Sequence, residues 1–311
     1  MAKEKRKSKI GGQALIEGVM MRGLDKVSMA VRIPNGEIDI ESWKVDSIVH
    51  PKWYRKIPIL RGVVNLISSL ILGYKCLMKS AQKAGIYEDD NESEPGFVEQ
   101  KLGDKIFKVA SIIGTVLGFA AAIILFMFLP SLIVKMINNF LNLNSFGKAL
   151  IEGLIKIIIF IGYLFVISML SDIKRTFEYH GAEHKTISCY EADYELTPEN
   201  VKKFTRFHPR CGTSFLLIVL IISIIVFSVV TWDNLFMRVV FKIILLPIVI
   251  GLAYELIRIA GKYDNIFTKI ISAPGLWLQR LTTREPDVKE IEVAIVAFNE
   301  VMPENKEEDK W

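Results

Sequence analysis

Four long apolar segments constrain this chain more than any other feature. A hydrocarbon core of about 30 Å needs about 20 apolar residues in one helix. A mean hydropathy of +0.34 and 51% hydrophobic residues fit a protein that has lipid as part of its solvent. We therefore predict a mainly α, polytopic membrane helix bundle with about four transmembrane helices. The predicted spans are 109–130, 149–171, 212–231 and 239–260.

The distribution of lysine and arginine predicts the orientation of these spans. The connection 131–148 holds only Lys135 and Lys148, whereas the connection 172–211 holds Lys174, Arg175, Lys185, Lys202, Lys203, Arg206 and Arg210. Short connections rich in Lys and Arg stay in the cytosol. We expect a multi-pass protein of the cell membrane with both termini in the cytosol.

Outside the spans, the chain is predicted to be cytosolic or interfacial. Residues 28–43 alternate apolar and polar around Pro34-Asn35-Gly36, which is typical of a β-hairpin. The apolar stretch 57–78 is interrupted by Arg61, Gly62, Asn65 and Gly73, so an interfacial or re-entrant helix is favoured over a fifth span. The predicted divisions are a cytosolic N-terminal region 1–56 with a Gly-rich motif and the hairpin, the interfacial or re-entrant helix 57–85, an acidic linker 86–108, a membrane domain 109–260 and a C-terminal interfacial segment and helix 261–311.

Three of the four histidines lie in the connection 172–211, which we expect to be a cytosolic loop. His180, Glu183 and His184 follow the order H-x-x-E-H, the inverted form of a zinc-hydrolase motif. On a helix, His180 and His184 would share one face and could hold one divalent ion. In that chemistry Glu183 is the general base, and the metal lowers the pKa of its bound water to about 7.

Further ligands are expected from the end of the same connection. His208 and Cys211 are the candidates, and a helix N-terminus would favour the thiolate of Cys211. If both bind, four protein ligands would favour a structural metal, whereas three would leave an open position. Glu191 is a weaker candidate, because it would lie about 10 Å from His184 along a straight helix.

Other polar residues are candidates for supporting roles. The Gly-rich motif GGQALIEGVMMRG carries Glu17 and Arg22, which would act beside the metal site or form an internal ion pair. Glu255 and Arg258 at the inner end of the fourth span would be either supporting partners or interface anchors. Glu152 and Lys156, four residues apart, are predicted to pair or to extend towards the membrane surface.

Net charge and cysteine content argue for neither a nucleic-acid-binding protein nor a disulfide-stabilised one. A net charge of +5 gives no argument for nucleic-acid binding. Three cysteines without a repeated spacing give no disulfide framework and fit a reducing compartment. The expected partners are membrane lipid and a peptide or lipid-linked substrate.

Five motifs in sequence order resemble those of the YqhQ family of bacterial membrane proteins. They are GGQALIEGVMMRG, YHGAEHK, HPRCGTSF, YELIRIAGKYDN and PGLWLQRLTTREPD, and the similarity covers nearly the whole chain. The family is described as predicted metal-dependent enzymes. The resemblance therefore implies a membrane location and a metal, but it does not indicate the substrate.

Two functional hypotheses follow. The first is a membrane-embedded enzyme dependent on Zn²⁺ or another divalent metal, a hydrolase acting at the cytosolic membrane face. The second is a non-catalytic scaffold or transporter in which the metal only fixes the connection 172–211. They differ in whether the metal keeps an open coordination position.

Overall fold

The structure is a computed structural model that describes residues 7–47, 52–85, 109, 112–263, 265–305 and 308–309. The predicted acidic linker 86–108 lies outside these residues. The chain divides into two compact units. Unit 1 comprises residues 1–87, 163–219 and 247–311, and unit 2 comprises residues 88–162 and 220–246.

The N-terminal region of unit 1 is a four-stranded antiparallel meander. Its strands, in spatial as well as sequence order, are β1 (Gly11–Leu15), β2 (Gly18–Arg22), β3 (Lys26–Arg32) and β4 (Ile38–Lys44). The predicted hairpin 28–43 is confirmed, because β3 pairs with β4 from Lys26↔Lys44 to Arg32↔Ile38. The Gly-rich motif forms a second hairpin, in which Glu17 occupies the turn with a φ of 48°.

Helices make up most of the remaining described chain, so the predicted fold class is confirmed. A short 3₁₀ helix spans Trp53–Lys56. The α-helices are α1 (Leu60–Lys83), α2 (Ile112–Leu141, with a π-helical turn at Ile124–Phe128), α3 (Ser145–Ile167), α4 (Ser171–Glu191), α5 (Pro198–Lys202), α6 (Gly212–Phe227), α7 (Leu235–Lys262), α8 (Ile266–Thr282) and α9 (Val288–Asn299).

Four of the described helices are long and apolar enough to cross a membrane, namely α1, α2, α3 and most of α7. The number agrees with the prediction, but the members differ. Helix α6 has 16 residues and is shorter than the predicted span 212–231, whereas α1 meets the length and composition that were expected of a span. Sixteen helical residues extend about 24 Å.

The connection 172–211 is ordered rather than a loop. The predicted span 149–171 ends as a helix at Ile167, and a new helix, α4, begins at Ser171 and carries the HxxEH motif. The short helix α5 begins with Pro198, a residue suited to the first position of a helix. The side chain of Thr197 caps it by accepting a hydrogen bond from Asn200 N–H.

The largest buried core of unit 1 fixes α4 in place. The C-terminal helix α9 packs between α4 and the sheet, with Ile291, Ala294 and Phe298 fully buried against Tyr179 and Tyr190. Asp287 and Glu290 form a capping box at the start of α9, as their sequence spacing favours. The helix predicted within the C-terminal region 261–311 is therefore present as α9.

Unit 2 contains most of the predicted membrane domain. Helices α2 and α3 are joined by a short turn, in which Asn142 adopts a left-handed conformation with a φ of 43°. Glu152 and Lys156 do not pair with each other: Glu152 binds Arg238 and Lys242, whereas Lys156 donates to Ser223 Oγ. The prediction of an i,i+4 pair is wrong because α7 supplies closer cations.

Candidate metal centre

Helix α4 presents His180 and His184 one turn apart on the same face, as the motif spacing predicts. Their ring centroids lie 4.4 Å apart. Helix α4 can approach the segment that follows α8 closely because residue 181 is a glycine. A Cβ at Gly181 would lie 2.0 Å from the carbonyl oxygen of Arg284.

Backbone carbonyls orient both imidazole rings. His180 Nδ1 lies 2.8 Å from Thr282 O, and His184 Nδ1 lies 2.6 Å from Arg206 O. A carbonyl can only accept, so each Nδ1 carries a proton, and a metal would have to bind at Nε2 of the neutral form of each ring. This arrangement fixes the tautomer that a metal ligand needs.

Cys211 completes a group of three donors. Its Sγ lies 3.2 Å from His180 Nε2 and 3.1 Å from Thr213 Oγ1, at the N-terminal end of α6. One ligand atom each from His180, His184 and Cys211 lies within 4.8 Å of the others. Two imidazole nitrogens and a thiolate are a donor set suited to Zn²⁺.

The electrostatics of this group favour a thiolate. Burial by itself would raise the pKa of Cys211, but the neighbouring His180 and His184 rings hold that pKa well below its usual value. Burial opposes charge on His180 as well, yet the Cys211 thiolate raises the pKa of His180 to about 9. In the absence of a metal the two side chains therefore form an ion pair, and a divalent cation would replace the proton.

Glu183 lies beside the three donors without being one of them. Its Oε2 is 3.9 Å from the Nε2 atoms of both His180 and His184. Burial raises the pKa of Glu183, while the two histidine rings lower it in part. A raised pKa makes a carboxylate a stronger proton acceptor.

The Gly-rich motif forms one wall of the site. The backbone of Gly12 approaches Glu183 so closely that an added Cβ would lie 2.8 Å from Glu183 Cγ. Residues 8–12, together with the donors, line a cavity of about 180 Å³. The predicted position of the motif beside the histidines agrees with this contact.

His208 lies next to the group but is directed elsewhere. Its ring centroid is 5.5 Å from that of His184, and its Nε2 is 3.6 Å from Glu191 Oε2 and 3.3 Å from Arg210. Gln279 holds the backbone on both sides, because it accepts from His208 N and donates to His208 O, each at 2.7 Å. Burial lowers the pKa of His208, and its hydrogen bond with Glu191 opposes this shift in part.

Glu191 is the last residue of α4 and contacts Ser8 and Arg210, two residues that line the cavity. The helix runs unbroken to this point, so the carboxylate stays away from the three donors. It accepts from Ser8 N at 2.6 Å and forms an ion pair with Arg210.

The remaining predicted residues lie away from the three donors. Glu17 forms an ion pair with Arg175 on α4, not with Arg22, and accepts from Tyr179 OH at 3.2 Å. Arg22 ends β2, and burial followed by the charge of Arg55 lowers its pKa. Glu255 forms an ion pair with Arg61, which joins α7 to α1 within unit 1. Arg258 lies one turn after Glu255 on α7.

Several contributors to the site carried little signal in the sequence. The carbonyls of Thr282 and Arg206 act through the backbone, so their side chains could not reveal them. Gln279 lies within the C-terminal region 261–311, for which only an interfacial segment and a helix were predicted. Thr213, two residues after Cys211, could have been found from its hydroxyl at a helix start.

Comparison with known proteins agrees with the resemblance to the YqhQ family. The family model described as "Protein of unknown function (DUF1385)" matches residues 57–304. The Bacillus subtilis (strain 168) protein described as "Uncharacterized protein YqhQ" is 37% identical over 305 residues, which cover 97% of this chain and 95% of that protein. No solved structure matches this chain significantly.

Proposed function

This chain belongs to the DUF1385 family, and we propose that it is a membrane-embedded, metal-dependent hydrolase that acts at the cytosolic membrane face. The observation that carries the proposal is the convergence of His180, His184 and Cys211 beside a carboxylate that is not one of the three. Three protein ligands and an adjacent carboxylate are the composition of a catalytic zinc site, whereas structural sites have four ligands.

The residues fit a divalent transition metal, with Zn²⁺ as the proposed ion. His180 and His184 would bind through Nε2, since each Nδ1 is committed to a carbonyl. Cys211 would bind as the thiolate that the histidines already favour. The ion, when bound, would supply Lewis-acid polarisation and activation of water.

Glu183 is proposed to accept and return the proton of the hydrolytic reaction at Oε2. Its position 3.9 Å from both Nε2 atoms keeps it beside the ligands. Its burial excludes competing water, and the close backbone of Gly12 limits its rotation. The carboxylate thus needs little reorganisation before the reaction.

The count of chain crossings supports one side for the sheet, α4 and α9, and the lysine and arginine distribution assigns that side to the cytosol. The sheet, α4 and α9 share one core, so they lie on one side of the membrane. The chain must then cross an even number of times between β4 and α4, where α1, α2 and α3 occur. We propose that α2 and α3 cross and that α1 remains at the interface, an arrangement compatible with the ion pairs of its Lys79 and Lys83 with Glu41 and Asp39 of β4.

The number of membrane crossings between α4 and α9 must be even for the same reason. Helices α6 and α7 lie between α4 and α9 and would cross as a pair. The 16 residues of α6 would need the following residues 228–231 to complete the crossing. The four-span arrangement with both termini inside is therefore retained as the proposal.

A peptide or lipid-linked group remains the proposed substrate class. The cavity is lined by the start of β1 and by Arg210 and Cys211, which come directly before α6. At about 180 Å³ it admits a short segment of a substrate rather than a whole lipid. The scaffold alternative would need a fourth protein ligand, and the ring of His208 faces Glu191 instead.

The test uses the full-length chain purified in detergent and loaded with Co²⁺ in place of Zn²⁺. A thiolate ligand gives a charge-transfer absorption that Cys211→Ser should abolish. Acetohydroxamate should shift the visible bands, because it enters an open coordination position. A cobalt spectrum that no added ligand changes would indicate a closed structural site and would reject the hydrolase.

A further inference from the structure

A second polar cluster lies inside unit 2, among helices that are otherwise apolar. It contains one carboxylate, Glu152, and three cationic side chains, Lys156, Arg238 and Lys242. Their exposed fractions are 2%, 4%, 0% and 0%, so all four are withdrawn from the surface. Charged residues within membrane-spanning helices are expensive and usually mark a function.

Glu152 is already saturated by two of the cations. Its Oε2 accepts from Arg238 at 2.6 Å, and its Oε1 forms an ion pair with Lys242. Ser131 Oγ donates to the same Oε1 at 2.7 Å. One negative charge is therefore paired with two positive charges, which leaves one positive charge in excess before Lys156 is considered.

Lys156 has no counter-charge within the described part of unit 2. Its Nζ donates to Ser223 Oγ at 3.3 Å and lies 5.1 Å from the centre of the Phe227 ring. Asp233 is the other acidic residue of the described part of this unit, and it is exposed and bonded to Thr231. The Nε of Arg238 is also buried without a hydrogen-bond partner.

Lys156 is in the middle of α3, but the ammonium groups of Lys156 and Lys242 lie 5.1 and 5.9 Å from the ring of Phe227, the last residue of α6. Arg238 is in the first turn of α7, and its NH1 donates to the carbonyls of Val230 and Thr231 in the connection after α6. A group at this depth is within reach of the polar headgroup layer if α7 crosses a bilayer. In that case the excess positive charge would lie next to the layer that contains the lipid phosphates.

We propose that Lys156, Ser223, Arg238 and Lys242 form a binding site for a phosphate oxyanion. Three cations and one carboxylate leave two positive charges for the anion to balance. The lysine is a point charge suited to phosphate. Arg238 adds its Nε, the buried donor without a hydrogen-bond partner, since its other two nitrogens already donate within the protein. The site shares no residue with the metal centre, and it does not depend on the proposed hydrolase activity.

The phosphate could belong to a phospholipid or to a free ion, and the test separates these sources. Full-length protein in an uncharged detergent is mixed with phosphatidylglycerol, with phosphatidylcholine or with inorganic phosphate, and its thermal unfolding midpoint is measured. The variant is Lys156→Met. The matched control is Lys135→Met, which removes an exposed lysine of α2 in the same unit.

A rise in midpoint with phosphatidylglycerol alone assigns a lipid headgroup, and a rise with inorganic phosphate assigns the free ion. Either rise supports the site if Lys156→Met removes most of it while Lys135→Met retains it. Without an anion, Lys156→Met should unfold at the same or a higher temperature, because it removes an unpaired buried charge. An equal rise in both variants, or none in the parent protein, would overturn the proposal.

Discussion

Gly12 of β1 lies directly against Glu183 of α4, with space for no additional carbon between them. A Cβ at position 12 would lie 2.8 Å from Glu183 Cγ and 2.7 Å from the carbonyl oxygen of Met20. The N-terminal sheet is therefore a part of the candidate site, because it sets the position of the proposed proton acceptor.

We expect Gly12→Ala to displace Glu183 and to lower stability by about 1–3 kcal/mol, since the added methyl overfills a packed contact. Gly11→Ala is the matched control, because a Cβ at Gly11 has no atom within 4 Å. Thermal unfolding of both variants tests the contact. Equal midpoints for the two alanine variants would show that the approach is looser than the structure indicates.

Purified protein should contain about one equivalent of zinc or a similar ion, measured by elemental analysis. His180→Ala, His184→Ala and Cys211→Ser should each lose most of it, because two remaining ligands bind far more weakly. His208→Ala should retain the ion, since its ring faces Glu191. Loss of metal in His208→Ala, equal to that in His184→Ala, would favour the closed four-ligand site.

Glu183→Gln should keep the metal and lose hydrolysis. Glutamine has nearly the same size but cannot take the proton, so the rate should fall about 10²–10⁴-fold. Metal content and turnover of a peptide or lipid-linked substrate library are measured side by side. Full turnover at native metal content would exclude Glu183 as the base.

Reporter fusions test the crossing count. Fusions after residues 140 and 234 should report the outside, and fusions after residues 195 and 290 the inside. A fusion after residue 90 should also report the inside, because α1 is proposed to remain at the interface. An outside signal at 90 together with an inside signal at 140 would make α1 a true span.

Stability should depend on the ionisation of Glu290. Burial raises the pKa of Glu290 to about 7 from a usual value of 4.5. The folded protein then binds the proton more tightly than the unfolded chain, so stability falls as pH rises from about 4.5 to 7 and stays level above. Glu290→Gln, which mimics the protonated acid and preserves the capping box, should raise stability above pH 7 by about 1–3 kcal/mol.

The matched control for Glu290→Gln is Glu292→Gln on the same helix. The Glu292 side chain is 45% exposed and pairs with Arg32, so its removal should change stability little at any pH. Thermal unfolding at pH 5 and pH 8 measures both variants. A gain for Glu290→Gln that is the same at the two pH values would contradict the assigned ionisation.

The sequence predicted the parts of the fold that periodicity and length control. The β3–β4 hairpin follows from alternation around Pro34-Asn35-Gly36, and α9 from its apolar pattern. The β1–β2 hairpin was missed because its turn contains Glu17 rather than the usual Asn-Gly pair. Helix α6 was predicted by composition alone, which cannot reveal where a short helix ends.

Only the parts of the candidate site that depend on side chains within recognisable motifs could be predicted from the sequence. His180, Glu183, His184 and Cys211 follow from motif spacing and helix position. The choice between Cys211 and His208 as the third donor did not, because Gln279 and Glu191 decide where His208 points. Such contacts join residues far apart in sequence and leave no local pattern.

The hydrogen bond from the His180 ring to the carbonyl of Thr282 has a consequence for protein synthesis. The ribosome must pass residue 282 before the ring of His180 can be held, and it must pass Phe298 before the core behind α4 is complete. An emerging chain therefore carries the histidines and the cysteine for some time without a formed site. Metal acquisition is expected to follow translation and insertion, not to accompany them.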